Sequence, residues 1–180
     1  MIVMLFFGAN FGMMAISQAS NIAQNMIAMS AANAAIVVSV LALFNAFGRV
    51  VAGSLSDKIG RINTLTLVFV VAIAALLLLF TGTVGLFYIG ICLIGVCFGA
   101  FMGIYPGFTA DNFGTKNSSV NYGIMFIGFS TAGLIGPQIM SNIYKATGAY
   151  QMAFIVAAVM AVVGLALSFL YRVVSKRSKA

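Results

Sequence analysis

Leu67-Val-Phe-Val-Val-Ala-Ile-Ala-Ala-Leu-Leu-Leu-Leu-Phe80 runs without a polar residue and without any period of two. A strand of a membrane barrel alternates lipid-facing and lumen-facing side chains over about ten residues. This run does neither, so it reads as a helix that is apolar all round, the pattern of a membrane span. Working outward, six stretches approach the roughly 20 predominantly apolar residues that a helix needs to cross the hydrocarbon. They are 1–18 (with an extension to Ala23 left open), 31–52, 63–81, 84–105, 120–142 and 151–171, and a basic tail follows over 172–180. The connections are short, which predicts an all-α membrane protein of six transmembrane helices arranged as hairpins. Asn63 is expected to cap the third span and Asn117, Ser118 or Ser119 the fifth, while Gly82 and Gly148 suit tight turns.

Composition narrows the chemistry. Of 180 residues, 63% are hydrophobic and 6% charged, against about 25% charged in a soluble domain. There is no His, and Asp57 and Asp111 are the only acids. Metal sites built on His and carboxylates, Ser-His-Asp triads and paired carboxylates lack their parts. No enzyme, metal or cofactor is therefore expected. Cys92 and Cys97 lie in one apolar run and read as small fillers. The net charge of +7 comes from nine Lys and Arg. These punctuate apolar runs instead of forming a stripe with interleaved aromatics, so the expected surroundings are a lipid bilayer and not nucleic acid. No Lys or Arg precedes Arg49, so no secretory signal peptide is expected.

Six spans put both termini on one side. That side carries Lys58, Arg61, Lys116, Arg172, Lys176, Arg177 and Lys179, and the other only Lys145. The positive-inside rule then makes both termini cytoplasmic. All six Tyr residues fall near span ends, as an interfacial belt would place them. In the fourth span Gly95, Gly99, Gly103 and Gly107 recur every four residues, as do Gly128, Ala132 and Gly136 in the fifth, ahead of Pro137. Small residues at that spacing let helix backbones meet closely in lipid; a bending or sliding helix is the alternative.

Between the second and third spans stands Gly53-Ser-Leu-Ser-Asp57-Lys58-Ile-Gly60-Arg61, the pattern G-x-x-x-D-[KR]-x-G-R. Gly53 lets a neighbouring helix approach, and Asp57 can face the positive N-terminus of a helix. Gly60 permits a tight turn, and Lys58 and Arg61 can meet a lipid phosphate or a carboxylate. A fainter echo, Phe108-Thr-Ala-Asp111-Asn-Phe-Gly114, lies in the next loop on the same side. The first motif resembles the cytoplasmic signature of the major facilitator superfamily. That resemblance implies one half of the superfamily fold, with Gly53, Asp57, Lys58, Gly60 and Arg61 as a conformational-switch loop. Tyr105-Pro-Gly-Phe-Thr-Ala-Asp111 onward through Asn121-Tyr-Gly to Gly136-Pro137, together with Ile16-Ser-Gln-Ala-Ser20, looks like the oxalate/formate antiporter family within it. The chain then aligns with helices seven to twelve of twelve. The missing partner would be an N-terminal six-helix half or its equivalent, and the location a bacterial cytoplasmic membrane.

Two cations mark oxalate transport in that family. Arg49, in Asn45-Ala-Phe-Gly-Arg49, matches the first; the second, a Lys, falls close to Phe129 here and is absent. A dianion wants two cations, so the resemblance with this departure implies a monocarboxylate. A charge within a span costs about 2.5–3.5 kcal/mol on insertion scales and is functional or snorkels to the interface. Both readings of Arg49 stand open at this stage. Asn45, one turn back on the same face, favours a polar cavity. Phe101 and Tyr105 share a face of the fourth span and are candidates for packing around a small anion, although Tyr105 equally suits the interfacial belt. Asn10, Gln18 and Gln138 are weaker lining candidates. No Asp or Glu lies within a span, which favours exchange or uniport over proton symport. The expected function is therefore a small-organic-anion carrier working by alternating access. The alternative is a non-transporting fragment or subunit that only associates with a partner half.

Overall fold

A computed structural model describes residues 1–177 and contains seven helices. They are α1 (Ile2–Ser17), α2 (Ala19–Ile27), α3 (Ala31–Ile59), α4 (Arg61–Phe80), α5 (Val84–Phe113), α6 (Ser118–Thr147) and α7 (Gln151–Arg177). Helices α3 to α7 are each long and apolar enough to cross a membrane, and α1 with α2 makes a sixth span broken by a 57° bend. The break falls where the sequence turns polar. Ser17 Oγ donates back to the Met14 carbonyl at 3.2 Å and Gln18 accepts from Asn21 at 2.6 Å, local bonds that compete with helix continuation. Most of the other helices run past their apolar spans by about one to two turns. Their ends are polar, and helical backbone satisfies its own hydrogen bonds on either side of the interface.

Local signals hold in part. Ser30 caps α3, its Oγ accepting from the Asn33 amide at 3.4 Å. Gly60, Gly82 and Gly148 take positive φ at their turns. Asn63 does not cap: α4 already begins at Arg61, and the Asn63 amide donates to the Ile59 carbonyl at 2.6 Å, tying the new helix to the end of the last. Asn117 precedes α6 without a side-chain cap bond. Of the tail expected over 172–180, residues 172–177 continue α7, and 178–180 lie outside the described residues.

Helix α3 packs along α5, α1 along α6, and α4 between α5 and α7, with α7 also against α1. The glycine row sets the closest of these contacts. Cβ atoms at Gly95, Gly99 and Gly103 would collide with the backbone carbonyls of Leu41, Asn45 and Arg49, three successive turns of α3. The row is thus an intimate packing seam. Its fourth member, Gly107, instead makes room for the Arg61 guanidinium, 2.7 Å from where its Cβ would stand. The core beside the seam is aromatic: Phe101 meets Phe11 and Phe69 edge-on, with ring centroids 5.9 and 5.1 Å apart.

Met1 and the last described turns of α7 sit at one end of the bundle. Met1 and Met4 share a crevice with Leu170, Tyr171 and Val174, and the Asp57–Arg61 loop meets Asp111 there as well. The turns at Met29, Gly82 and Tyr150 occupy the other end, where the Tyr88 hydroxyl reaches Met29 Sδ at 3.8 Å.

Candidate functional site

Two constellations stand out, one at the basic end and one along the face that α3, α5 and α6 leave open. At the basic end, Arg61 is the hub. Its Nη2 lies 2.6 Å from Asp57 Oδ1, its Nε donates to Asp111 Oδ2 at 3.2 Å, and its Nη1 donates to Ser56 Oγ at 2.5 Å. Both acids of the chain therefore converge on one guanidinium. Arg61 is mostly buried while both carboxylates remain well exposed, so the cluster is polarised towards water. Ser56 donates onward to the Gly53 carbonyl at 2.7 Å, which stiffens the last turn of α3. The residues of this motif thus pack together: Gly60 turns the chain, Gly107 gives Arg61 room, and Asp57, Asp111 and Ser56 each take one of the three guanidinium nitrogens. Lys58 stays exposed outside the cluster. Gly53 approaches α5 only loosely, its Cβ position 3.7 Å from the Gly103 carbonyl. Asp57 faces Arg61, its neighbour four residues on, and not a bare helix terminus. The partnership of Asp111 was missed from sequence. A signal was available: with two acids in the chain and both at one end, a shared cation was the economical pairing.

On the open face, Arg49 Nε donates to Asn45 Oδ1 at 3.2 Å. Asn45 lies one turn towards the bundle centre, so the guanidinium turns inward and does not stretch towards the basic end. Arg49 is exposed on this half. The glycine seam fixes the local geometry, because Gly99 and Gly103 lie directly against the backbone of Asn45 and Arg49. Next to Gly99, Phe98 stacks on Phe129 at 5.8 Å. Phe129 packs on Phe126 at 4.6 Å, and Phe126 on Tyr122 at 5.5 Å. Adjacent residues of α5 thus touch Asn45 on one side and Phe129 on the other. Tyr122 and Phe126 line a groove of about 640 Å³ that also takes in Ser119 and Ser130, and Phe129 continues their aromatic strip towards Phe98. Their spacing of four then three residues marks one helix face; that pattern could have been read from the sequence, and only Phe129 was.

The remaining candidates lie elsewhere. Phe101 and Tyr105 are both 0% exposed. They pack within the half, Tyr105 donating to the Met1 carbonyl at 3.4 Å and meeting Phe108 edge-on. Tyr105 is thus neither a belt residue nor a wall of the open face: α5 continues to Phe113 and carries it inside. Gln18 is spent at the α1–α2 bend, and Gln138 is exposed on α6. Asn10 is 0% exposed, and neither its amide nitrogen nor its oxygen has a partner. Among the described residues no group of His, Cys, Asp or Glu is arranged to hold a metal ion.

Comparison with known proteins fits this architecture. The chain matches the Major Facilitator Superfamily over residues 1–180. It is 30% identical to the oxalate:formate antiporter of Oxalobacter formigenes over 167 residues, 91% of this chain and 40% of that protein. It is 35% identical to the uncharacterized MFS-type transporter YhjX of Escherichia coli (strain K12) over 121 residues, 66% of this chain and 30% of that protein. The chain thus spans 40% or less of the length of these relatives. A six-span helical bundle, an ion-paired loop motif between its second and third spans and a match along its whole length place the chain in the Major Facilitator Superfamily, as a multi-pass integral membrane protein with the architecture of one half of that fold.

Proposed function

We propose that this chain is half of a carrier that moves small monocarboxylates by alternating access, through exchange or uniport, with Arg49 as the anion-binding group. The observation that carries the reading is the Arg49–Asn45 pair, held inward on a face that the half's own helices leave open. A cation in that setting calls for an anion. Both acids of the chain are committed to Arg61, so a transported carboxylate is a natural counter-charge, and the guanidinium fork suits its two oxygens. Phe129, in its aromatic strip, stands where the resembling antiporters keep a second cation. A dianion would be half neutralised there, and an unpaired charge at low dielectric costs several kcal/mol. Phe98, Phe126 and Tyr122 extend the apolar wall.

The complementary half supplies the rest of the cavity, and the Arg61 hub at the membrane edge sets the balance between inward- and outward-open states without touching substrate. The termini face the cytoplasm of a bacterial cell on this reading. The test is uptake of labelled formate, lactate and oxalate into proteoliposomes holding the complete carrier. Monocarboxylate uptake should exceed oxalate uptake, Arg49→Gln should abolish it, and Arg49→Lys should keep a fraction because the point charge survives without the fork. Robust oxalate uptake, or monocarboxylate uptake indifferent to Arg49→Gln, overturns the assignment. The alternative is a non-transporting six-helix module that only binds a partner half; absence of uptake of every acid with the partner present supports that one.

A further inference from the structure

We propose that Arg172, seated on Thr66 and Ser168, binds the phosphate of an anionic phospholipid on the outer α4–α7 face at the basic end of the bundle. The inference is independent of the carrier reading and concerns the opposite side of the half from Arg49. The chain has two acids, and both are held by Arg61. Among the described residues Arg172 has no carboxylate partner.

Its geometry is unusual for an Arg near the end of a span. Such side chains snorkel outward to reach water and headgroups. Arg172 turns the other way. Its Nη2 donates to Thr66 Oγ1 at 3.0 Å, and Thr66 Oγ1 lies 3.0 Å from Ser168 Oγ, one turn nearer the bundle centre than Arg172. Ser168 and Thr66 are themselves buried and anchored, donating to the Leu165 and Ile62 carbonyls at 2.7 and 2.8 Å. The guanidinium carbon stands 5.5 Å from the centre of the Phe169 ring, and Nε is buried with no acceptor. The cation is therefore drawn inward by neutral groups that orient it but do not neutralise it.

The surroundings identify the occupant. Phe169 and Val173, beside Arg172 on this face, are exposed and apolar, so this face meets lipid and not water. A planar guanidinium pairs with phosphate oxygens in a fork. The phosphate available beside an apolar, lipid-facing surface at the membrane edge is that of a headgroup, whose acyl chains can lie along α4 and α7 below it. An anionic headgroup leaves net negative charge to meet Arg172, whereas in a choline lipid the ammonium cancels the phosphate.

Native mass spectrometry of the detergent-purified chain, with phosphatidylglycerol or phosphatidylcholine added, tests this. The wild type should retain phosphatidylglycerol over phosphatidylcholine by roughly fivefold. Arg172→Gln should bring the ratio to parity, and Lys116→Gln, in the exposed loop at the same end, should leave it unchanged. The double variant Thr66→Val/Ser168→Ala keeps the charge but frees the side chain, so it should lower the preference; it decides the matter if Arg172→Gln does not fold. An undiminished preference in either variant overturns the site. Displacement of the lipid by millimolar inorganic phosphate would assign the site to a free anion and overturn the lipid as its occupant.

Discussion

Gly99→Ala is the sharpest probe of the seam that holds the candidate anion site. A Cβ there would press into the Asn45 carbonyl oxygen and stand 3.2 Å from the Arg49 amide nitrogen. Both neighbours are backbone, so no rotamer can yield. Ordinary carbon–oxygen contacts lie near 3.3–3.6 Å, which obliges α3 to retreat by about 1 Å. That retreat would also open the contacts that bare Gly95 and Gly103 make with the turns before and after, the first with its Cβ position 2.9 Å from the Leu41 carbonyl. Overpacking of this kind costs about 1–3 kcal/mol. The helix gains about 1 kcal/mol when Gly becomes Ala. Because the contacts on both sides are lost with that retreat, the cost falls at the upper end, leaving a net loss of about 2 kcal/mol. Gly85→Ala is the matched control: it lies in the same helix with nothing within 4 Å of its Cβ position, and should gain up to about 1 kcal/mol. At about 2–4 °C per kcal/mol for a chain of this size, the two variants should melt roughly 6–12 °C apart. Cys97, buried in α5, offers the readout: a thiol-reactive fluorogenic maleimide reports unfolding as that thiol becomes accessible. Should Gly99→Ala melt as high as Gly85→Ala, α3 and α5 are not in backbone contact and the placement of Asn45 and Arg49 is wrong.

Other expectations follow from the same contacts. Asn10→Leu removes two unpartnered polar atoms from the core and should raise the melting temperature, since each buried unsatisfied group costs about 1–3 kcal/mol; a lower one would mean that Asn10 is hydrogen-bonded. Asp57→Asn and Asp111→Asn should each cost only about 0.2–1 kcal/mol, as exposed ion pairs do. The double variant should cost more than the sum, because it strips Arg61 of both acids; strict additivity in the thermodynamic cycle would show that the two pairs are independent. In a complete reconstituted carrier, Asp57→Asn should slow turnover and leave substrate binding nearly intact, and loss of binding with normal turnover would contradict a switch role. With Cys92 and Cys97 replaced, single cysteines at Ser30 and Thr83 should label from outside the cell and those at Ser54 and Ser118 only from inside, with the opposite pattern refuting cytoplasmic termini.

The division between what could be read in one dimension and what required three follows from the solvent. The helices announce themselves because any span must close its own hydrogen bonds in hydrocarbon, so runs such as 67–80 leave no other choice. Local chemistry was equally legible: the Gly60 turn, the four-residue step from Asn45 to Arg49, and the glycine row of α5 each depend on neighbours a turn away. Which side of a span faces protein was not legible. In water a helix marks its buried face with apolar residues, but in lipid both faces are apolar and the mark disappears. Phe101 and Tyr105, identical in kind to groove residues, therefore proved to be core, while Tyr122 and Phe126 line an open groove. The same blindness covers charge pairing across helices. Asp111 is 50 residues from Arg61, and only the packing of α5 beside the start of α4, with Gly107 left bare to admit the guanidinium, brings the second acid to the hub. That packing likewise bends Arg172 inward onto hydroxyls of α4 and α7, a direction that no count of basic residues contains.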